Sequence, residues 1–351
     1  MELIELFLLL FSSFSAGATV ALPPMHTRTI RCTMRSGGIQ YAIYRQLFKA
    51  TKKHLRKHLR KNRHKIHVFE LLLRLRQAAN HPSLIADAVN KGNTQLQKAL
   101  RTGSEDDEND EDFDEDDEDF DDDDDDFEKE QDDMAILDKG GMSMDVPRAR
   151  DGTKLRQLLK LTKEWKRNGA KFVIFSQWTS MLHVCRVALE ERGYVVTALE
   201  GSMSLEEREQ AVRQCAINKK TGKVDGMLIS LKAGGQGLNL TCFSKVILME
   251  PHYNPSVEEQ AIGRVMRMGQ KHASVEVVRL VTKKTVEMDI LKIQEKKKKH
   301  VDRLMANKTN KTKKTQKNKK KKTNMTNRTN NARGGSISDE LIVAELMKKF
   351  R

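Results

Sequence analysis

The chain has 351 residues, 64 of them Lys or Arg against 49 Asp or Glu, for a net charge of +15. That length suits about two domains, and a composition 38% hydrophobic and 32% charged excludes a polytopic membrane protein. The four cysteines, Cys32, Cys185, Cys215 and Cys242, form no C-x-x-C pair, which argues against a zinc ribbon or a disulfide scaffold and for a reducing compartment.

Residues 1–22 are apolar from Leu6 to Phe11 and then small, like a secretory leader, but Glu2 and Glu5 stand where its positive charge belongs. The stretch is too short to span a membrane. It reads as a gene-model artefact, and no membrane role is expected. Residues 23–100 are expected to be helical, with a basic stretch from Arg45 to Lys65. His54 and His58 stand four apart there, but the glutamate of an H-E-x-x-H site is missing, so no metal is expected.

Residues 101–150 hold the acidic extreme. From Glu105 to Asp133, 23 Asp and Glu stand against one Lys, so the rest of the chain is more basic than its net charge suggests. Such a run repels itself and buries nothing, so disorder is expected. It serves either as a solvated linker or as an acidic arm that mimics nucleic acid, or binds histones or the chain's own basic surface.

Residues 151–291 alternate between helical and strand patterns. Lys154–Asn168 has helical spacing, and Lys171–Ser176 is a short apolar run, hence a buried strand. Trp178–Arg192 is helical, Tyr194–Leu199 a strand, and Leu205–Cys215 a helix opened by Ser204. Gly226–Leu231 and Lys245–Glu250 are strands, Pro255–Arg267 a helix capped by Asn254, and Glu276–Val281 the last strand. This alternation predicts an α/β fold, a parallel sheet with helices on both faces. Residues 292–351 read as a basic helix and a low-complexity tail. Its lysine runs, Lys296–Lys299 and Lys319–Lys322, suit nuclear targeting or phosphate binding, or form a solvated tail.

In parallel sheets, ligands bind beyond the carboxyl ends of the strands. Ser176-Gln177-Trp178 follows the first strand; Ser176 there is a phosphate ligand or simply a helix cap. Ser230 to Leu240 places Gly234, Gly235 and Gly237 after a strand, among Lys232, Gln236 and Asn239. Three glycines let backbone N–H groups approach an anion, where a ligand-free turn needs one or two. Arg264 and Arg267, three apart, share a face of the Pro255–Arg267 helix and have the forked chemistry for bidentate phosphate contact. Spacing alone would equally describe two surface arginines.

These segments resemble the second RecA-like lobe of superfamily-two helicases, and more closely the Swi/Snf-type DNA-dependent ATPases, nearest the Rad-type repair and transcription-termination branch. Leu71 to Pro82 resembles the family's lead-in to that lobe, Val173 to Thr179 its motif IV, Ile229 to Leu240 its motif V, and Glu258 to Gln270 its motif VI. Asn254-Pro255-Ser256 precedes motif VI in family order. His252-Tyr253, Gly263 and Met266 depart from the family's common Trp-Trp, Asp and His. The acidic run stands where some Rad-type relatives carry a RING insertion, so ubiquitin-ligase activity is not implied.

The resemblance implies arginine fingers at Arg264 and Arg267, and nucleotide coupling at Gln260, Gly235 and Gly237. It implies DNA contacts at Ser176, Gln177, Lys232, Gly234, Gln236 and Asn239. Implied partners are double-stranded DNA, histones or nucleosomes, and a first RecA-like lobe; the implied location is the nucleus. No G-x-x-x-x-G-K-[ST] loop and no Asp-Glu-x-His box occurs in the sequence. ATP with Mg²⁺ is therefore implied only when a first lobe is paired with this one. The chain is expected to be a piece of a translocase, inactive alone. The alternative is a non-enzymatic DNA- or chromatin-binding regulatory fragment.

Overall fold

A computed structural model of the chain describes residues 22–59, 65–85, 152–199, 203–216, 224–233 and 238–299, with the side chains of 54–59, 65–70 and 205 left aside. The acidic stretch, the tail from 300 onward and nearly all of residues 1–22 lie outside the described residues.

The strands are β1 (Met25–Cys32), β2 (Phe172–Ser176), β3 (Val196–Leu199), β4 (Gly226–Ser230), β5 (Lys245–Leu248) and β6 (Val275–Thr282). They form one sheet in the order β1-β6-β5-β2-β4-β3, and every pairing in it is parallel. The helices are α1 (Ile39–Leu59), α2 (Lys65–Asn80), α3 (Thr153–Arg167), α4 (Thr179–Glu190), α5 (Leu205–Ala216) and α6 (Pro255–Val265). A last helix, α7, runs over 286–299.

Strand periodicity explains the layers. Phe172 and Ile174 of β2 face a core made with Leu155, Leu158 and Trp165 of α3 and Met181, Leu182 and Cys185 of α4. Val173 and Phe175 face the other way, toward Ala211 and Cys215 of α5 and Ala261 and Val265 of α6. Both faces are thus covered, which is why β2 and β4 are buried along their whole length. A third core joins α1, α2 and α7 through Tyr44, Leu47, Leu72, Leu75, Val286 and Ile293. Gly226 opens β4 because nothing larger fits: a Cβ there would stand 2.2 Å from the Phe172 ring.

Local signals set the helix starts. Ser204 and Glu207 form a capping box, the Glu207 N–H donating to Ser204 Oγ at 3.2 Å and the Ser204 N–H to Glu207 Oε2 at 2.7 Å. Asn254 Oδ1 accepts from the Ser256 N–H at 3.2 Å, with Pro255 at the first helical position.

One expectation fails early. Residues 25–32 lie in the stretch expected to be helical, yet they form β1, an edge strand paired along its whole length with Val275–Thr282. Thr27, Thr29 and Ile30 are β-branched and favour that conformation. Exposure of all but Ile30 and Cys32 removed the apolar pattern that would have marked it.

The lead-in helices are joined to α3 of the sheet domain at one buried side chain. Gln40 Nε2 donates to Ala78 O and Ala79 O at 3.0 and 3.1 Å, and its Oε1 accepts from the Thr153 N–H and Oγ1 at 3.0 and 2.9 Å. Gly152 lies against His81 so closely that a Cβ would stand 2.1 Å from the imidazole.

Candidate functional site

Because β2 is flanked by β4 on one side and β5 on the other, the chain direction across the sheet reverses there. The carboxyl ends of these three strands bring together Ser176-Gln177, Ser230 to Lys232, and Met249 to Pro251. This is the switch-point crevice where ligands of α/β sheets bind.

The first of these segments is turned inward. Ser176 is fully buried. Its hydroxyl lies 3.1 Å from both Glu250 carboxylate oxygens, and it accepts the Trp178 N–H at 3.1 Å. The Gln177 N–H donates to Glu250 Oε1 as well. Glu250, itself buried, also accepts from Asn80 Nδ2 at 2.9 Å. Burial pushes the Glu250 carboxyl above the usual carboxylate range, while Lys154, the Gln177 N–H, Asn80 and Arg76 pull the other way. Sequence reasoning took Ser176 for a phosphate ligand or a helix cap. Its hydroxyl is instead committed to a buried carboxylate, so it positions the turn that carries Gln177.

Behind Glu250 the network continues. Lys154 Nζ, with no solvent exposure, donates to Asn80 Oδ1 at 2.7 Å, Met249 O at 2.8 Å and Glu287 Oε1 at 2.6 Å. Glu287 Oε2 accepts the Thr282 N–H at 2.8 Å. The network ties α2, α3, β5, the end of β6 and α7 to one point. No local pattern announces it: Lys154 reads as one more helix lysine, and its partners are 74 and 133 residues away.

Arg76 of α2 is buried beside the same turn. Its guanidinium carbon lies 5.0 Å from the Trp178 ring centre and 4.4 Å from that of Tyr253. Its Nη2 donates to Gln177 Oε1 and to Pro251 O, both at 3.0 Å. Tyr253, one of the departures from the family pattern, thus supplies one wall of an arginine sandwich.

The remaining candidate residues among those described are more open. Lys232 and Asn239 are exposed on the two flanks of the glycine loop, and Asn239 Oδ1 accepts the Thr241 N–H at 3.3 Å. Gly234, Gly235, Gln236 and Gly237 lie outside the described residues. Gln260 is exposed on α6, Arg264 is half-buried in its last turn, and Arg267 is exposed.

The geometry expected of the two arginines needs correcting. Helix α6 ends at Val265, not at Arg267. Met266 leaves the helical region with ψ 77°. Gln270 Nε2 takes the Val265 carbonyl at 3.0 Å, and the Leu240 N–H takes that of Arg264 at 3.0 Å. With its terminal carbonyls satisfied from outside, the helix stops, and Arg264 and Arg267 do not share a helical face. They also lie at the far end of α6 from the Ser176 edge, roughly 16 Å along an 11-residue helix. There the α6 terminus meets the segment that enters β5, through Leu240, Cys242 and Phe243. At its near end, buried Glu258 anchors α6 by accepting from the His252 N–H at 2.8 Å and from Arg279 Nε at 2.9 Å.

Residues 153–269 match the family described as the helicase conserved C-terminal domain. The chain is 39% identical over 154 residues to the DNA repair protein RAD5B of Arabidopsis thaliana, covering 43% of this chain and 12% of that protein. It is 41% identical over 139 residues to the helicase-like transcription factor of Homo sapiens, covering 39% of this chain and 14% of that protein. An uncharacterised ATP-dependent helicase of Schizosaccharomyces pombe is 37% identical over 158 residues, covering 44% of this chain and 15% of that protein. The chain thus spans less than a sixth of the length of each of these relatives. The crystal structure of the C-terminal part of the Fun30 ATPase domain has the same fold, with a TM-score of 0.53 at 20% identity, covering 78% of this chain and 90% of that one.

Proposed function

Because this chain carries the C-terminal helicase lobe of a Swi/Snf-type protein, we propose that it works as the second half of an ATP-dependent DNA translocase in DNA repair or chromatin remodelling. The observation that carries this reading is the match over residues 153–269, which takes in the Ser176, Lys232 and Arg264 segments together.

In this reading, nucleotide binds between a first lobe and this one. The donors this chain brings are the guanidinium groups of Arg264 and Arg267 and the amide of Gln260. All suit phosphate oxygens, and the two guanidinium groups repel a divalent cation, so the Mg²⁺ ligands and the phosphate-binding lysine belong to the first lobe. Arg264 and Arg267 stabilise charge developing on the transferred phosphoryl group, and Gly235 and Gly237 couple that state to DNA. Duplex DNA is held by its phosphates through Gln177, Lys232, Asn239 and the Gly234-to-Gln236 backbone, with little reading of base sequence. Ser176 supports this surface from below. The lysine runs direct the protein to the nucleus, where histones are a further partner of its charged segments.

The test is to assay the chain alone and fused to a first lobe. Alone, it should bind duplex DNA with steep salt dependence and turn over no ATP. In the fusion, DNA-stimulated turnover should appear. Arg264→Ala or Arg267→Ala should lower it by about 10³–10⁵ while DNA affinity holds. Normal turnover with lost DNA affinity would make the arginines backbone contacts instead.

A further inference from the structure

We infer that Arg76 is a positioning residue that orients the Gln177 amide so that its NH₂ group is presented as a donor to a DNA phosphate. The inference rests on the DNA-binding reading above and concerns how one contact of that surface is built.

A guanidinium has donors only, so the amide atom facing Arg76 Nη2 must be oxygen. The 3.0 Å contact therefore fixes the sense of the Gln177 amide, with Oε1 toward Arg76 and Nε2 as the other arm. Arg76 cannot yield readily. It is held between the Trp178 and Tyr253 rings, and the same Nη2 is tied to Pro251 O. The backbone of Gln177 is fixed independently, since its N–H donates to buried Glu250. Residue 177 is therefore locked at main chain and side chain while remaining only half-buried. The two N–H groups of Nε2 suit an anionic oxygen. A donor fixed before binding loses less side-chain freedom on binding than a loose one.

Arg76 keeps this place at a cost to itself. Its Nε is buried without a hydrogen-bond partner among the described residues. Its remaining contacts clasp the turn that carries Gln177, through Gln177 and Trp178, to the segment after β5, through Pro251 O and Tyr253.

The experiment measures duplex-DNA affinity across a salt series, and the unfolding midpoint, for the full chain and its Gln177→Glu, Gln177→Ala, Arg76→Lys and Arg76→Lys/Gln177→Ala variants. Gln177→Glu keeps the shape and strengthens the link to Arg76 but replaces the donor with a second carboxylate oxygen. Its midpoint should hold or rise, its low-salt affinity should fall at least about 10-fold, and its log–log salt slope should shrink by up to about 0.9, because the new carboxylate offsets about one of the chain's phosphate-neutralising charges. Arg76→Lys should weaken binding about 3- to 10-fold, and this effect should vanish in the Gln177→Ala background. A Gln177→Glu variant that binds like the parent, or whose midpoint drops, overturns the inference and leaves the DNA-binding reading standing. So does an Arg76→Lys effect that persists without Gln177. If Arg76→Lys does not fold, the affinity and midpoint of Gln177→Glu decide alone. A parent chain with no salt-sensitive DNA binding overturns the reading itself and this inference with it.

Discussion

At the carboxyl edge of β2, Ser176 and Glu250 are buried and bonded to each other, whereas beyond the C-terminus of α6, Arg267 and Met268 stand in solvent. In sequence the two places look alike, since each is a polar cluster beside an apolar element. Their difference shows how one lobe divides its labour. Polar groups at the first place hold the framework rigid, whereas the second place is open to solvent. The first kind should register in stability and the second in ligand assays.

The largest expected effect lies in the sealed network. Lys154→Met leaves the Glu287 carboxylate buried without its cation, which should cost about 3–5 kcal/mol in denaturant unfolding. Adding Glu287→Gln should recover part of it. A loss under about 1 kcal/mol would mean that water reaches this pair and the two regions are less distinct than drawn.

Acid should find the same region. Burial lowers the His81 pKa to about 4 from an ordinary 6.5. Neutral His81 therefore contributes stability that is complete above pH 6.5 and is lost as the pH falls toward 4, up to about 3 kcal/mol. Glu250 works in the opposite sense, because its raised pKa favours the folded chain as the carboxyl becomes protonated. His81→Asn should flatten the stability slope between pH 6.5 and 4. An unchanged slope would assign acid sensitivity to other groups.

Between the extremes lies the start of α6, where Asn254→Ala should cost about 1 kcal/mol through loss of one cap bond. The smallest effects belong to the open surface. Asn239→Ala and Arg267→Ala should change the unfolding free energy by no more than about 0.5 kcal/mol, even where they alter nucleotide or DNA assays. Larger losses would show that these residues also brace the fold.

Much of this architecture was legible in the residues. Phe172 to Phe175, Met227 to Ile229 and Val246 to Leu248 are continuous apolar runs, and only strands buried on both faces need them. Ser204 and Asn254 marked helix starts because capping is a local bond. What escaped was non-local. Met25–Cys32 pairs with a strand some 250 positions away and lies mostly exposed, so no periodicity gave it away. The end of α6 depends on Gln270 and Leu240 reaching its last carbonyls, while helical spacing runs on to Arg267. Lys154 reads as one more helix lysine and Ser176 as the polar end of a strand, because their partners Glu250, Asn80 and Glu287 converge only in the folded chain.

The contact of Gly152 with His81 has a consequence for how this protein can change over time. His81 and Gly152, far apart in sequence, touch in the fold, held by Gln40 and Lys154 on either side. Because these two residues are held together, a change in the length of sequence between them need not move a strand. Because closure entropy grows only with the logarithm of length, doubling such an excursion costs about 0.6 kcal/mol. The stretch of sequence between His81 and Gly152 can therefore change in length over time at small cost while the described residues on either side keep their register.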